Sequence, residues 1–119
     1  MARRDLSGAV DFTVLERFTA GDAVVIDEVL ALFQQQTEIW AGMLDPDHVG
    51  IRDAIHTIKG TAASIGAKAL SDHCAAIEAS GQERVSRTAL DSLRTLMDAA
   101  LMDVAAYRHQ HQLNSLKAR

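Results

Sequence analysis

Ile51-Arg52-Asp53-Ala54-Ile55-His56-Thr57-Ile58-Lys59-Gly60-Thr61-Ala62-Ala63-Ser64-Ile65-Gly66 mixes isoleucines with small and charged residues, and its spacing decides the fold. At ~100° per residue Ile51, Ile55, Ile58, Ala62 and Ile65 fall on one stripe, the pattern of a helix that buries one face. Arg52, His56, Lys59, Gly60 and Ala63 gather on the far side, with His56 about 140° from the centre of the stripe. The imidazole is therefore expected in solvent, with Arg52 and Lys59 one turn away on either side. Gly66 is expected to end the helix and turn the chain.

Gly60 is informative because a mid-helix glycine costs ~1 kcal/mol relative to alanine and this one faces away from the core. Beside an exposed imidazole, a missing side chain leaves room for another protein's backbone. Imidazole is a good nucleophile near neutral pH, and Lys59 offers three charged donors to phosphate oxygens. These residue types at this spacing suit a phosphoryl group carried on His56.

Working outward, the same helical period recurs with no convincing alternation of period two. A short first helix is expected from the cap Asp11 through Phe12, Leu15 and Phe18, stopping at Gly21. A second is expected over 22–44 with Val25, Val29, Leu32, Phe33, Gln36, Ile39, Trp40 and Met43 inward. Asp45-Pro46 reads as the start of the third helix, since Asp caps free amides and Pro fits the first helical position. A fourth runs from Ala67 to about Ser80, carrying Leu70, Cys74 and Ile77 and ending at Gly81. The last opens at Ser86 or Thr88 and continues through Leu90, Leu93, Met97, Ala100, Val104 and Tyr107. Short connections between amphipathic helices predict an all-α antiparallel four-helix bundle with a short additional N-terminal helix. One domain is expected over 1–119, its helical core at about 11–110 and a frayed tail at 111–119.

Composition narrows what such a bundle does. The 119 residues fit a single domain, and 48% hydrophobic with 24% charged residues excludes a disordered chain. No apolar run approaches the ~18 residues of a membrane span, and the two arginines near the start, Arg3 and Arg4, precede no apolar run, so a soluble cytoplasmic protein with no membrane partner is expected. A net charge of −4, with basic clusters only at Arg3, Arg4 and Lys117, Arg119, argues against nucleic acid. The single cysteine, Cys74, excludes an internal disulfide and a Cys-x-x-Cys metal pair, and its place on the apolar stripe makes it a small core residue. No E-x-x-H occurs, and His109 and His111 point in roughly opposite directions, so no metal site is expected. His48, His73, His109 and His111 are expected at the surface.

The run from His56 through Lys59, Gly60, Gly66 and Leu70, followed by Cys74, Ile77 and Glu78, resembles the histidine-containing phosphotransfer (HPt) domains of bacterial and fungal phosphorelays, which also occur at the front of chemotaxis kinases. That resemblance implies that His56 is phosphorylated, accepting the group from a response-regulator receiver aspartate and passing it to another. It implies that Lys59 steadies the phosphate and that Gly60 admits the receiver. Ala63 is expected on the same docking face, and Arg52 and Lys68 are expected there either as docking charges or as ordinary surface residues. It implies that Glu78 accepts a hydrogen bond from Nδ1 of His56 and leaves Nε2 free to attack. The hairpin turning at Gly66 supports that pairing, since positions 56 and 78 lie ten residues before and twelve after it. Many relatives carry Gln where this chain has Glu78. The implied partners are receiver domains and a sensor (hybrid) histidine kinase. The chain itself is expected to be a stand-alone monomeric phosphocarrier without kinase activity or a bound cofactor, the Mg2+ for transfer lying in the receiver. The competing reading is a helical adaptor that binds signalling proteins without phosphorylation.

Overall fold

The computed structural model describes residues 7–117; the arginines at positions 3 and 4 and the final arginine lie outside the described residues. Those residues form five helices and no strand: α1 (Phe12–Phe18), α2 (Ala23–Ala41), α3 (Ile51–Ile65), α4 (Lys68–Ala79) and α5 (Arg87–Lys117). The last four make the bundle, with α3 and α4 a tight hairpin, α5 packed on α2 and α4, and α1 lying against α3. Leu30, Phe33, Ile55, Ile58, Ile65, Leu70, Leu90, Leu93, Met97 and Val104 are fully buried in one core. Each such side chain stabilises the fold by about 1.5–3 kcal/mol. No helix of the described residues is long and apolar enough to cross a membrane.

Local chemistry sets the ends. The Asp11 carboxylate accepts from the Thr13 amide and opens α1, and Asp22 accepts from the amides of Val24 and Val25 to open α2. Ser86 Oγ accepts from the Ala89 amide, so Ser86 rather than Thr88 caps α5. At the other end of the α3 hairpin Gly66 adopts φ +90°, the left-handed conformation that stops a helix, and its carbonyl accepts from the Asp11 amide at 2.8 Å. A β-carbon there would lie 2.1 Å from the Asp11 carbonyl oxygen. Gly66→Ala is therefore expected to destabilise the protein by about 2 kcal/mol, read as a lowered thermal midpoint with unchanged helix content below it.

Three expectations are corrected. The third helix starts at Ile51, not at Asp45-Pro46: Asp45 accepts from the Asp47 amide through its side chain and from the His48 amide through its carbonyl, which makes a turn. Asp followed by Pro suits a turn as well as a helix start, and the chain has to reverse after α2. The rotation of α2 also differs. Ile26, Leu30, Phe33, Thr37 and Trp40 face inward, whereas Val25, Leu32 and Ile39 are 40%, 54% and 59% exposed. Two apolar stripes one residue apart run along this helix, and periodicity alone does not choose between them. The rotation is tied to α5, whose Arg108 holds Asp27 through two nitrogens at 2.8 and 3.3 Å and Gln34 at 2.5 Å. Finally, the stretch from 111 to 117 continues α5 as helix with mostly exposed side chains. No Gly or Pro interrupts it, and extending an existing helix avoids the cost of nucleation.

The N-terminal segment is tied to the bundle by a buried carboxylate. Asp103 of α5, 1% exposed, accepts from the amide and hydroxyl of Ser7, both at 2.8 Å, and from the Val10 amide at 3.1 Å. With Phe12 stacked on Tyr107 at 4.2 Å between ring centroids, these contacts set α1 beside the far end of α3.

Candidate functional site

The α3/α4 hairpin brings residues 22 positions apart into contact. His56 projects from the outer face of α3 with its side chain 70% exposed, and its Nδ1 lies 2.9 Å from Oε2 of Glu78 near the end of α4. The other oxygen of the same carboxylate, Oε1, meets the Lys59 ammonium at 2.5 Å. One turn further, the Ser71 hydroxyl of α4 donates to the Lys59 carbonyl at 3.1 Å and ties the two backbones at this level.

Lys59 first, and then the His56 hydrogen bond, hold the Glu78 carboxyl below the ordinary glutamate range. An ionised carboxylate only accepts, so Nδ1 carries the proton in this contact. In the neutral ring Nε2 then keeps its lone pair, on a side chain that is mostly in solvent. Because the pKa of Glu78 is depressed on folding, its pairing is present above the ordinary carboxylate range and is lost as pH falls through the lowered value. The side-chain carboxyl carbon of Glu78 is accordingly expected to titrate at lower pH in the folded protein than in a short peptide, and Lys59→Met to move it back up. NMR titration of both proteins checks this.

The remaining positions singled out by sequence lie where helix geometry puts them. Gly60 is exposed, and a β-carbon there would meet nothing within 4 Å. Ala63 is exposed two turns beyond His56 on the same face. Arg52 is exposed one turn before His56, and its guanidinium donates to the Gln82 carbonyl in the α4–α5 connection. Lys68 pairs with Asp72 one turn along α4 at 2.6 Å. Cys74 is buried, and burial together with the nearby Glu78 carboxylate pushes its thiol up to about 11, so it is an inert core residue rather than a nucleophile.

Two histidines expected at the surface are instead half-buried structural groups. His48 Nδ1 accepts from the Gly50 amide at 3.0 Å, and His73 Nε2 donates to the Ala89 carbonyl at 2.9 Å across α4 and α5. The first closes the turn that precedes α3 and the second joins α4 to α5, and a helical projection shows neither contact. Among the described residues no group of three or more His, Cys, Asp or Glu side chains is placed to hold a metal ion. Sequence reasoning gave Lys59 to a phosphate alone and missed its hold on Glu78. The signal was available, since Lys59 is turned about 60° from His56 towards the α4 side of the helix.

An exposed imidazole whose Nδ1 is held by a carboxylate, on the outer face of a four-helix bundle, is an arrangement that comparison with known proteins can test. A sequence profile described as the Hpt domain matches residues 23–103, most of the chain. The chain belongs to the Hpt domain family. Comparison with curated protein sequences finds no match. Among solved structures the chain is similar to the histidine phosphotransferase ShpA from Caulobacter crescentus, at 51% identity and a TM-score of 0.79, over 92% of this chain and 99% of that one. The Hpt match spans α2 to α4 and most of α5, and so includes His56, Lys59 and Glu78.

Proposed function

We propose that this Hpt protein carries a phosphoryl group on Nε2 of His56 between receiver-domain aspartates of a phosphorelay. Membership of the Hpt family supports a role in histidine phosphotransfer, and the hydrogen bond of Nδ1 to Glu78 carries the assignment to His56. With Nδ1–H fixed, the Nε2 lone pair attacks the phosphorus of a receiver's aspartyl phosphate. The P–O bond to the aspartate breaks, an N–P bond forms, and the aspartate leaves as carboxylate. The phosphoryl group leaves by the reverse step to a second aspartate. Neither step needs nucleotide, so the chain acts as a carrier without kinase activity of its own, in the cytoplasm with its partners. The Mg2+ that neutralises the aspartyl phosphate is supplied by the receiver. Arg52, Gly60 and Ala63 along the outer side of α3, with Lys68 at the start of α4, form the docking face.

Incubation with a receiver domain bearing labelled phosphate tests the reading. Label is expected to move to this chain in an acid-labile, base-stable form and to map to the peptide containing His56. A chain that binds the receiver and takes up no label overturns it.

Lys59 has a second task once the phosphate arrives. Its ammonium leaves Oε1 of Glu78 for a phosphate oxygen, where a charge-assisted contact is strongest. Lys59→Ala is expected to slow transfer roughly tenfold and to shorten the phosphohistidine lifetime while the circular dichroism stays unchanged. Single-turnover transfer and decay of the isolated phosphoprotein measure the two effects separately.

A further inference from the structure

We infer that Glu78 acts on the phosphorylated chain as well as on the resting one: it keeps the proton on Nδ1 of His56 while Nε2 carries the phosphoryl group, and so sets how readily that group leaves. The inference rests on the proposed function and adds to it the residue that governs the lifetime of the carrier state.

Charge balance comes first. When Nε2 of a ring already protonated at Nδ1 gives its lone pair to phosphorus, the ring becomes a phosphoimidazolium cation. Release reverses this: the N–P bond breaks, its electron pair returns to Nε2, and a neutral imidazole departs with its proton still on Nδ1. If that proton is lost to water in between, the same bond has to expel an imidazolate anion, a far poorer leaving group. The carrier is ready to give up its phosphate for as long as Nδ1–H survives.

The site holds that proton in three ways. Oε2 of Glu78 lies 2.9 Å from Nδ1, and an ionised carboxylate only accepts, so the hydrogen bond exists only while Nδ1 is protonated. The phosphoryl group is added at the other ring nitrogen and leaves this contact in place. Next, the carboxylate is anchored level with the ring: Cys74 and Ile77 of α4 are buried, and the Ser71 hydroxyl ties α4 to the Lys59 carbonyl. Finally, Oε1 is held by the Lys59 ammonium at 2.5 Å in the resting chain, and that ammonium turns to the phosphate when it arrives. Glu78 then has the ring cation as its direct partner, the kind of charge-assisted hydrogen bond that is strongest. Of the other titratable or charged groups nearby, Arg52 of α3 lines the same small recess as Glu78 and donates to the Gln82 carbonyl. The Cys74 thiol of α4, pushed up to about 11, carries no charge at neutral pH. A glutamine at position 78 would act differently. Its carbonyl accepts from Nδ1–H and its amide donates to a bare Nδ1, so it orients the ring in either state and retains the proton in neither.

The test reads lifetime against pH. Phosphoramidate, a small phosphodonor that needs no docking face, labels the wild type and Glu78→Gln. The donor is then removed, and loss of label from His56 to water and to an unphosphorylated receiver domain is followed from about pH 5 to about pH 9, a range over which imidazole changes its charge and glutamate stays ionised. At the alkaline end Glu78→Gln is expected to hold its label about tenfold longer, the effect of one hydrogen bond to a charged group, and to transfer to the receiver more slowly by the same factor. The two lifetimes are expected to converge at the acid end, where solvent protonates both rings. In nitrogen NMR spectra of the phosphorylated wild type at about pH 8, Nδ1 is expected to carry a directly bound proton. A bare Nδ1 in that spectrum overturns the inference whatever the variant does. Lifetimes of the two folded proteins that coincide at every pH overturn it as well and leave Glu78 as a residue that only orients His56. Absence of label on His56 of the wild type overturns the proposed function, and this inference with it.

Discussion

His56→Gln is expected to abolish phosphoryl acceptance completely while moving the thermal midpoint by no more than about 2 °C. The argument begins from exposure. With 70% of the side chain in solvent, replacing it opens no cavity and removes no core contact. The glutamine amide still offers an N–H to Glu78, so the carboxylate keeps a donor besides Lys59, and the α3/α4 hairpin keeps its turn at Gly66. What disappears is the only atom at this position able to form the N–P bond, because an amide nitrogen has its lone pair delocalised. The measurement is label uptake from both a phosphorylated receiver and phosphoramidate, with melting followed by circular dichroism. Uptake by the variant at the wild-type rate would transfer the carrier role to another histidine. His73 is poorly placed for it, since its Nε2 is already engaged by the Ala89 carbonyl.

How much of this was legible in the chain differs from element to element. The α3 stripe was read correctly because its two faces differ sharply in chemistry, isoleucine against charge and glycine, and only one rotation buries the first. Gly66 was legible because a left-handed stop has few substitutes, whereas the cap of α5 stayed open between Ser86 and Thr88, two hydroxyls two residues apart, until the Ala89 amide settled it on Ser86. Helix α2 was not, since it carries apolar residues around more than half its circumference. Its rotation depends on Arg108, 81 residues away from Asp27, and no local pattern encodes that pairing. The guanidinium holds the Asp27 carboxyl below the ordinary aspartate range chiefly by direct hydrogen bonding, a second sign of how closely α5 dictates the position of α2. The start of α3 failed for a different reason: Asp-Pro serves a turn and a helix N-terminus with the same two physical properties, and only the path of the chain after α2 selects between them.

The site was legible to the extent that its residues belong to one helix. His56, Lys59, Gly60 and Ala63 follow from a projection of α3 alone. Glu78 needed the hairpin, and it was reached because equal distances from a tight turn bring two antiparallel helices level. The packing of α1 against the end of α3 was not reached at all. The place of α1 is fixed by Asp103 and Gly66, contacts 93 residues and 55 residues apart in the chain that no period reveals.

Gly60 is where stability and transfer are expected to move in opposite directions. The residue is interior to α3, and a β-carbon would meet nothing within 4 Å, so Gly60→Ala gains helix propensity with no steric cost. A rise of up to ~1 kcal/mol, about 4 °C in the thermal midpoint, is expected. Gly60→Gln gains less and carries a long side chain into the space beside His56 where the receiver's backbone has to come. In-line transfer needs the Nε2 lone pair and the phosphorus within a few ångströms, and a standoff of ~1 Å costs ~10²-fold in rate. Transfer to Gly60→Gln is therefore expected to fall about a hundredfold while the protein melts no lower than wild type, with labelling by phosphoramidate preserved because that donor needs no docking. The pair of variants isolates the cause, since any loss shared by alanine reflects the backbone and any loss confined to glutamine reflects the reach of its side chain. Normal receiver transfer by a stably folded Gly60→Gln protein would mean that the partner does not approach across this face, and that the glycine's ~1 kcal/mol cost to the helix has another origin.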